Sequence, residues 1–163
     1  SPFIHAKWEA PVNRQDPLDL LLASEEGRIP DLLPLRHGRM ARSPFTFYRG
    51  SAFNMSADLA NTPNSGMFVQ ACGDAHLCNF GGFATPERNV IFSINDLDET
   101  LPAPWEWDVK RLTASFVIAG RSNGFGPSAA RCATSVFAMS TSMLLSMTSL
   151  IFASSTSING MRD

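Results

Sequence analysis

The chain is short of charge and of cysteine, and each shortage excludes something. Only 17% of its 163 residues are charged, and the formal net charge is −2. There is no basic field of the kind that neutralises a phosphate backbone, so neither nucleic acid nor acidic lipid is indicated as a partner. Cys72, Cys78 and Cys132 make an odd number of cysteines. That argues against a disulfide framework and for a reducing, cytoplasmic setting. Ser1-Pro2-Phe3 has neither the basic start nor the apolar run of a signal peptide, and no Met opens the chain. The numbering is therefore expected to begin inside a longer product. No internal repeat is visible. An apolar content of 44% does suit one globular domain, while the length is too small for two comfortable ones.

The longest absence lies near the end, where 132–160 carry no charged residue. A run of about 20 uncharged residues is long enough to cross a bilayer. Against that, Ser and Thr make up about half of 134–157, and no aromatic belt or flanking Lys cluster appears. A membrane span is thus not the favoured reading. The expectation is a helical Ser/Thr/Met-rich tail over 128–163, separate from a domain over 1–127. It would pack at 128–160 on a partner or on a missing C-terminal portion.

Before the tail, local patterns predict an extended, loosely held arm over 1–17 and a helix over 16–26 that begins with Asp16 and Pro17. An apolar turn over 30–35 and a basic loop or short helix over 36–42 follow. Aromatic and β-branched residues at 45–49 predict a strand, and Ala52, Met55 and Leu59 share one face of a helix over 51–60. The apolar run 67–72 reads as a buried strand that delivers Asp74 at its tip. A connection through Gly81, Gly82 and 85–89 leads to a second strand over 90–94, paired with the first like a hairpin. Pro102 and Pro104 close an acidic loop. A helix over 105–120 then buries Val109, Leu112, Phe116 and Ala119.

The candidate chemistry lies in Cys72-Gly73-Asp74-Ala75-His76-Leu77-Cys78-Asn79 and Asn95-Asp96-Leu97-Asp98-Glu99-Thr100. Asp74 reads either as a turn cap after Gly73 or as the carboxylate that accepts or orients a hydroxyl proton. Asn79, five residues on, offers a neutral oxygen ligand in the same loop, as magnesium chemistry on phosphates uses. Asp96 and Asp98 are two apart on a segment read as extended, so they are expected on one side and able to share a metal. Their alternative is an exposed acidic turn. His76 is a structural hydrogen-bonder or a polar contact to phosphate. A zinc reading through Cys72, Cys78 and His76 lacks knuckle spacing, and Cys72 reads instead as a buried small hydrophobe. Arg49 reads as a phosphate-binding fork or as an ion-pair partner of Asp58 or the acidic loop. Asp108 reads as a cap or salt bridge near a helix start, and Trp105 and Trp107 read as core. Asp74→Ala is expected to abolish turnover with little loss of stability.

Four segments carry a family resemblance. They are Arg39-Met40-Ala41-Arg42-Ser43-Pro44-Phe45-Thr46-Phe47-Tyr48-Arg49-Gly50, Gly73-Asp74-Ala75-His76-Leu77-Cys78-Asn79-Phe80-Gly81, Asn95-Asp96-Leu97-Asp98-Glu99-Thr100 and Trp107-Asp108-Val109-Lys110-Arg111-Leu112. Together they resemble a bacterial domain-of-unknown-function family, number 2252, over roughly 30–122. More remotely, their order is similar to the aminoglycoside and choline kinase branch of the protein-kinase-like fold. That resemblance implies an α+β, partial kinase-like fold with strand-tip catalytic loops, and it implies Mg2+ and ATP as cofactors. It places Asp74 as catalytic base, Asn79 as metal ligand, Asp96 as main magnesium ligand with Asp98 as alternate, and Asp108 as a brace for the catalytic loop. Arg49 and His76 would contact the cofactor. The implied function is phosphoryl transfer to a small molecule or protein, the acceptor unknown. The chain departs from the pattern in having no Gly-rich loop and no strand Lys ahead of Asp74. A non-catalytic scaffolding module or truncated inactive copy, or a metal-dependent phosphoesterase, is the alternative.

Overall fold

The computed structural model describes residues 8–129 together with Cys132 and Ser135. The expectations for the rest of the uncharged tail lie outside the described residues. Helix α1 (Pro17–Ala23) starts where the sequence signals it: the Asp16 carboxylate accepts from Leu18 N at 2.7 Å and Pro17 takes the first helical position. Of the arm expected to be loosely held, residues 1–7 lie outside the described residues and the described part is tied down. Arg14 grips Asp58 with two hydrogen bonds of 2.7 and 2.8 Å and lies over the Trp8 ring. A 3₁₀ turn, Pro30–Leu32, runs directly into α2 (Leu33–Met40), so the basic segment is helical.

The largest departure from expectation is residues 45–49, which form helix α3 (Pro44–Gly50) and not a strand. The local chemistry decides it. Ser43 Oγ accepts from Thr46 N at 3.1 Å, and Thr46 Oγ1 accepts from Ser43 N at 2.9 Å. This reciprocal capping box, with Pro44 at the first position, outweighs an aromatic preference that reflects packing on a pleated surface. The Thr46 hydroxyl also reaches back to the Met40 carbonyl at 3.3 Å, which fixes the corner between α2 and α3. Met40 is buried there against Gly50, where an added Cβ would meet its sulfur at 2.6 Å. Helix α4 (Ala52–Leu59) follows as predicted, burying Ala52 and Leu59.

Four short strands pair in a nested way. Strand β1 (Phe68–Ala71) is antiparallel to β4 (Leu101–Pro104), with Ala71 opposite Leu101. Between them in sequence, β2 (Phe80–Ala84) and β3 (Val90–Ile94) form their own antiparallel pair, with Phe80 opposite Ile94. Two expectations are corrected here. The strand at 67–72 does not pair with 90–94, and part of the expected connection is strand β2. Pro102 and Pro104 sit in β4, which tolerates them because a two-stranded sheet is all edge.

Helix α5 (Glu106–Ser122) is the central support: α3 and α4 pack on it, and so does the 3₁₀ turn Leu77–Asn79. Leu112 and Ala119 are buried as expected, whereas Val109 and Phe116 are only half-buried. The deepest positions on α5 are polar, Arg111 and Ser115. Trp105 and Trp107 are half-buried. The apolar core consists largely of small side chains, among them Ala52, Ala71, Cys72, Ala75, Ala103 and Ala119. The chain is thus an α+β domain in which polar bonds do much of the positioning. Ser43→Ala should lower unfolding free energy by about 1 kcal/mol, the usual worth of a helix cap, measured by urea denaturation.

Candidate functional site

The nested pairing brings two loops to the same place. The loop after β1 carries Asp74 and His76, and the loop after β3 carries Asn95 and Asp96. Asn79 ties them together, its side-chain nitrogen donating to the Asp74 carbonyl at 3.1 Å and the Asp96 carbonyl at 3.0 Å. Asn95 N donates to the Asn79 carbonyl at 3.0 Å, and the Cys72 thiol faces the Asp96 carbonyl at 3.6 Å. Asp74, His76, Asn79 and Asp96 all line one cavity of about 750 Å³, whose other wall is drawn from residues 27–50.

The Asp74 carboxylate is held. Arg111 reaches its Oδ1 through Nε at 2.8 Å and Nη2 at 2.5 Å. The same guanidinium donates to the Tyr48 carbonyl at 2.9 Å and lies 4.5 Å from the centre of the Tyr48 ring. The Tyr48 hydroxyl in turn donates to the Arg111 carbonyl at 2.6 Å, and burial pushes its pKa up to about 12. His76 accepts from Cys78 N at Nδ1, 3.1 Å, which leaves its ring proton on Nε2, 3.4 Å from Asp74 Oδ2. His76 is buried, with both ring nitrogens turned to the loop although the residue lines the cavity.

Asp108, in the first turn of α5, accepts from Cys72 N at 2.7 Å and Gly73 N at 3.1 Å. Burial raises its pKa, and the two N–H groups and Arg111 pull the other way. Ser115 adds a further tie by accepting from Leu77 N at 2.9 Å. Gly73 has a φ of +80°, and a Cβ there would collide with the Glu99 carbonyl oxygen. The Glu99 carboxyl is itself pushed up, by burial first and by the nearby Asp74 charge second. Burial pushes the Cys72 thiol up to about 11, as suits a small core residue.

Other sequence-predicted residues fall differently. Strand β3 stops at Ile94, so 95–100 are a turn and the alternation argument fails for Asp96 and Asp98. Asp98 is exposed, does not line the cavity, and donates its N–H to Asp96 Oδ1 at 3.1 Å. Arg49 lines the cavity but pairs with neither suggested partner, because Asp58 belongs to Arg14 and Glu99 faces Arg28 at 3.8 Å. Among the described residues, no group of three or more His, Cys, Asp or Glu is placed to hold a metal ion. Magnesium does not require one, since it takes one or two carboxylates and fills its shell with water and substrate oxygens. The second Asp96 oxygen and the Asn79 carbonyl oxygen fit that requirement, the Asn79 nitrogen being already committed to backbone.

Sequence reasoning passed over Arg111, Tyr48 and Ser115. A signal was available: Asp108, Arg111 and Ser115 are spaced i, i+3 and i+7 on one helix face, a polar stripe beside the apolar one expected.

The model of a bacterial family described as "Uncharacterized protein conserved in bacteria (DUF2252)" matches residues 28–150, and the chain belongs to that family. The resemblance of the four motif segments to that family therefore holds, and the match runs past the expected boundary at 127/128. No curated protein and no solved structure matches the chain significantly.

Two substitutions test the frame of the site. Gly73→Ala forces a left-handed backbone on a residue with a side chain and a clash with backbone, so it should destabilise by more than about 2 kcal/mol in thermal unfolding. Arg111→Met leaves the Asp74 carboxylate unpaired and should cost about 3–5 kcal/mol in urea denaturation.

Proposed function

We propose that this member of the DUF2252 family is a cytoplasmic, magnesium-nucleotide-dependent phosphotransferase-like domain, remotely related to the aminoglycoside and choline kinase branch of the protein-kinase-like fold. Its acceptor would be a small molecule or a protein. One observation carries the reading: Asp74, Asn79 and Asp96, on two separate loops, line a single cavity and are cross-linked through Asn79. The nested strand order supports it, because it delivers a loop carboxylate, then an Asn, then a second acidic loop to one end of the sheets. So does Asp108, which braces the peptide just before Asp74, the role the resemblance implies for it. Three free cysteines suit the cytoplasm.

Asn79 and Asp96 would hold the magnesium ion, which when bound supplies charge neutralisation at the phosphates. Asp74 would orient the acceptor hydroxyl through Oδ2, its Oδ1 being fixed by Arg111. In a loose phosphoryl-transfer transition state, positioning of that kind matters more than early proton removal. Arg49 lines the same space as a phosphate contact.

The structure changes the choice of test substitution. Asp74 is the counter-ion of a buried guanidinium, so Asp74→Ala would also damage the fold, contrary to the sequence expectation. Asp74→Asn keeps an oxygen toward Arg111 and should lower kcat by about 10²–10⁴-fold, with the far-ultraviolet circular dichroism spectrum retained. Thermal shift supplies the second readout: magnesium plus ATP should raise Tm, by an equivalent of about 2.7 kcal/mol at a hundredfold Kd. A rise with magnesium alone would favour a phosphoesterase, and no rise at all would favour a scaffolding module. Turnover unchanged in Asp74→Asn would end the assignment.

A further inference from the structure

Four guanidinium groups, Arg28, Arg36, Arg39 and Arg49, line the cavity that holds Asp74 and Asp96, and no lysine lines it. Two of the four are engaged with protein. Arg36 donates to the Gly50 carbonyl at 2.7 Å, and Arg28 donates to the Ser24 carbonyl at 3.0 Å and faces Glu99. Arg39 and Arg49 are exposed side chains with no hydrogen bond or ion pair among the described residues. They come from α2 and α3, the two helices whose corner is locked by the Ser43–Thr46 box. Two unpartnered cations on a rigid corner, beside two more of like charge, make a site that an anion with several charged oxygens would stabilise. Ile29, Leu32 and Leu35 line the same cavity and are more than half exposed, so apolar surface adjoins the charges.

We infer that Arg39 and Arg49 are the phosphate-gripping element of a nucleoside polyphosphate site, in the place of a Gly-rich loop, with Ile29, Leu32 and Leu35 meeting the base. The inference rests on the phosphotransferase reading only for the fate of the phosphates. Gripping them requires neither metal nor turnover. A planar fork from each helix binds phosphate oxygens bidentately, and the α2–α3 corner fixes the backbone from which both forks project, so the ordering left to binding is that of the side chains.

The test is isothermal titration calorimetry of the full chain at fixed ionic strength with EDTA present, using ATP, inorganic tripolyphosphate and adenosine. ATP and tripolyphosphate should bind, ATP the more tightly, and the double variant Arg39→Gln/Arg49→Gln should weaken both at least tenfold. Because neither side chain has a protein partner to lose, the unliganded Tm of that variant should stay that of the parent. Arg121→Gln, which removes one charge away from the cavity, should change affinity less than twofold. Equal affinity in the double variant, or no binding of either polyphosphate, overturns the inference. The two proposals separate cleanly. Arginine-dependent tripolyphosphate binding without magnesium-ATP turnover keeps this inference and removes the phosphotransferase reading. Turnover with an unchanged KM for ATP in the double variant does the reverse.

Discussion

The Arg111–Asp74 pair is the interaction on which the rest of the structure depends. Arg111 is among the most deeply buried side chains of the chain, and a guanidinium taken out of water is costly unless its charge and donors are all met. The Asp74 carboxylate, the Tyr48 carbonyl and the Tyr48 ring meet them from three directions. The partners come from two parts of the fold, the loop after β1 and helix α3, and the Tyr48 hydroxyl closes back on the backbone of α5. With half of the buried apolar residues alanine, apolar burial alone supplies modest cohesion, and this network supplies the registration that large side chains provide elsewhere. The consequence for chemistry is direct. Asp74 is a clamped group whose one less-engaged oxygen has a defined direction, which suits the positioning of a hydroxyl better than a mobile loop-tip acid would.

The strand order explains why so few residues suffice to build the site. If β1 had paired with β3, the loops carrying Asp74 and Asp96 would have had to meet across a single hairpin. Enclosing β2 and β3 within the β1–β4 pair places both loops at one end, with Asn79 at the junction. The Asn79 nitrogen bonds to both loops' carbonyls, so its oxygen has little freedom left. An amide makes this double tie where a carboxylate would not, because only the amide has donors to spend on the two carbonyls.

Much of this was legible before the fold was known, and the failures share a physical pattern. The Gly-Asp-x4-Asn loop, the acidic turn and the family followed from the types and order of residues, because glycine at positive φ and a chain-adjacent Asp and Asn are local facts. Helix α4 followed from periodicity and strand β1 from its apolar run, although β1, expected buried, is exposed at Phe68, Val69 and Gln70; β3 was also placed where it lies. Residues 45–49 were misassigned because aromatic content was weighed ahead of the cap formed by Ser43 and Thr46, two residues whose effect lies in hydrogen bonds and not in pattern. Strand β2 was missed because Gly81 and Gly82 read as a turn, whereas Gly81 is needed for close approach: a Cβ there would meet the Asn95 side chain at 2.9 Å. Arg111 was quoted and given no role, since a buried cation contradicts the usual rule and only its counter-ion, 37 residues earlier, makes it sensible.

The α2–α3 corner carries most of the basic side of the cavity. Its geometry is set by short-range bonds, Ser43 to Thr46 and Thr46 to Met40, and by Met40 filling the space that Gly50 leaves. Tyr48 then anchors α3 to α5, so the corner is fixed relative to Asp74 through the same guanidinium that fixes Asp74 itself. A basic wall and an acidic wall are thereby held at a constant separation without a glycine-rich loop to close over a ligand. A loop of that kind gains its grip from backbone N–H groups and must be ordered on binding. Arginines on a capped helix corner need only their side chains ordered, because the backbone that carries them is already fixed. Such a wall is harder to read as a phosphate grip than a glycine-rich loop: Arg39 and Arg49 share one motif segment, but Arg28 and Arg36 join them only through the fold.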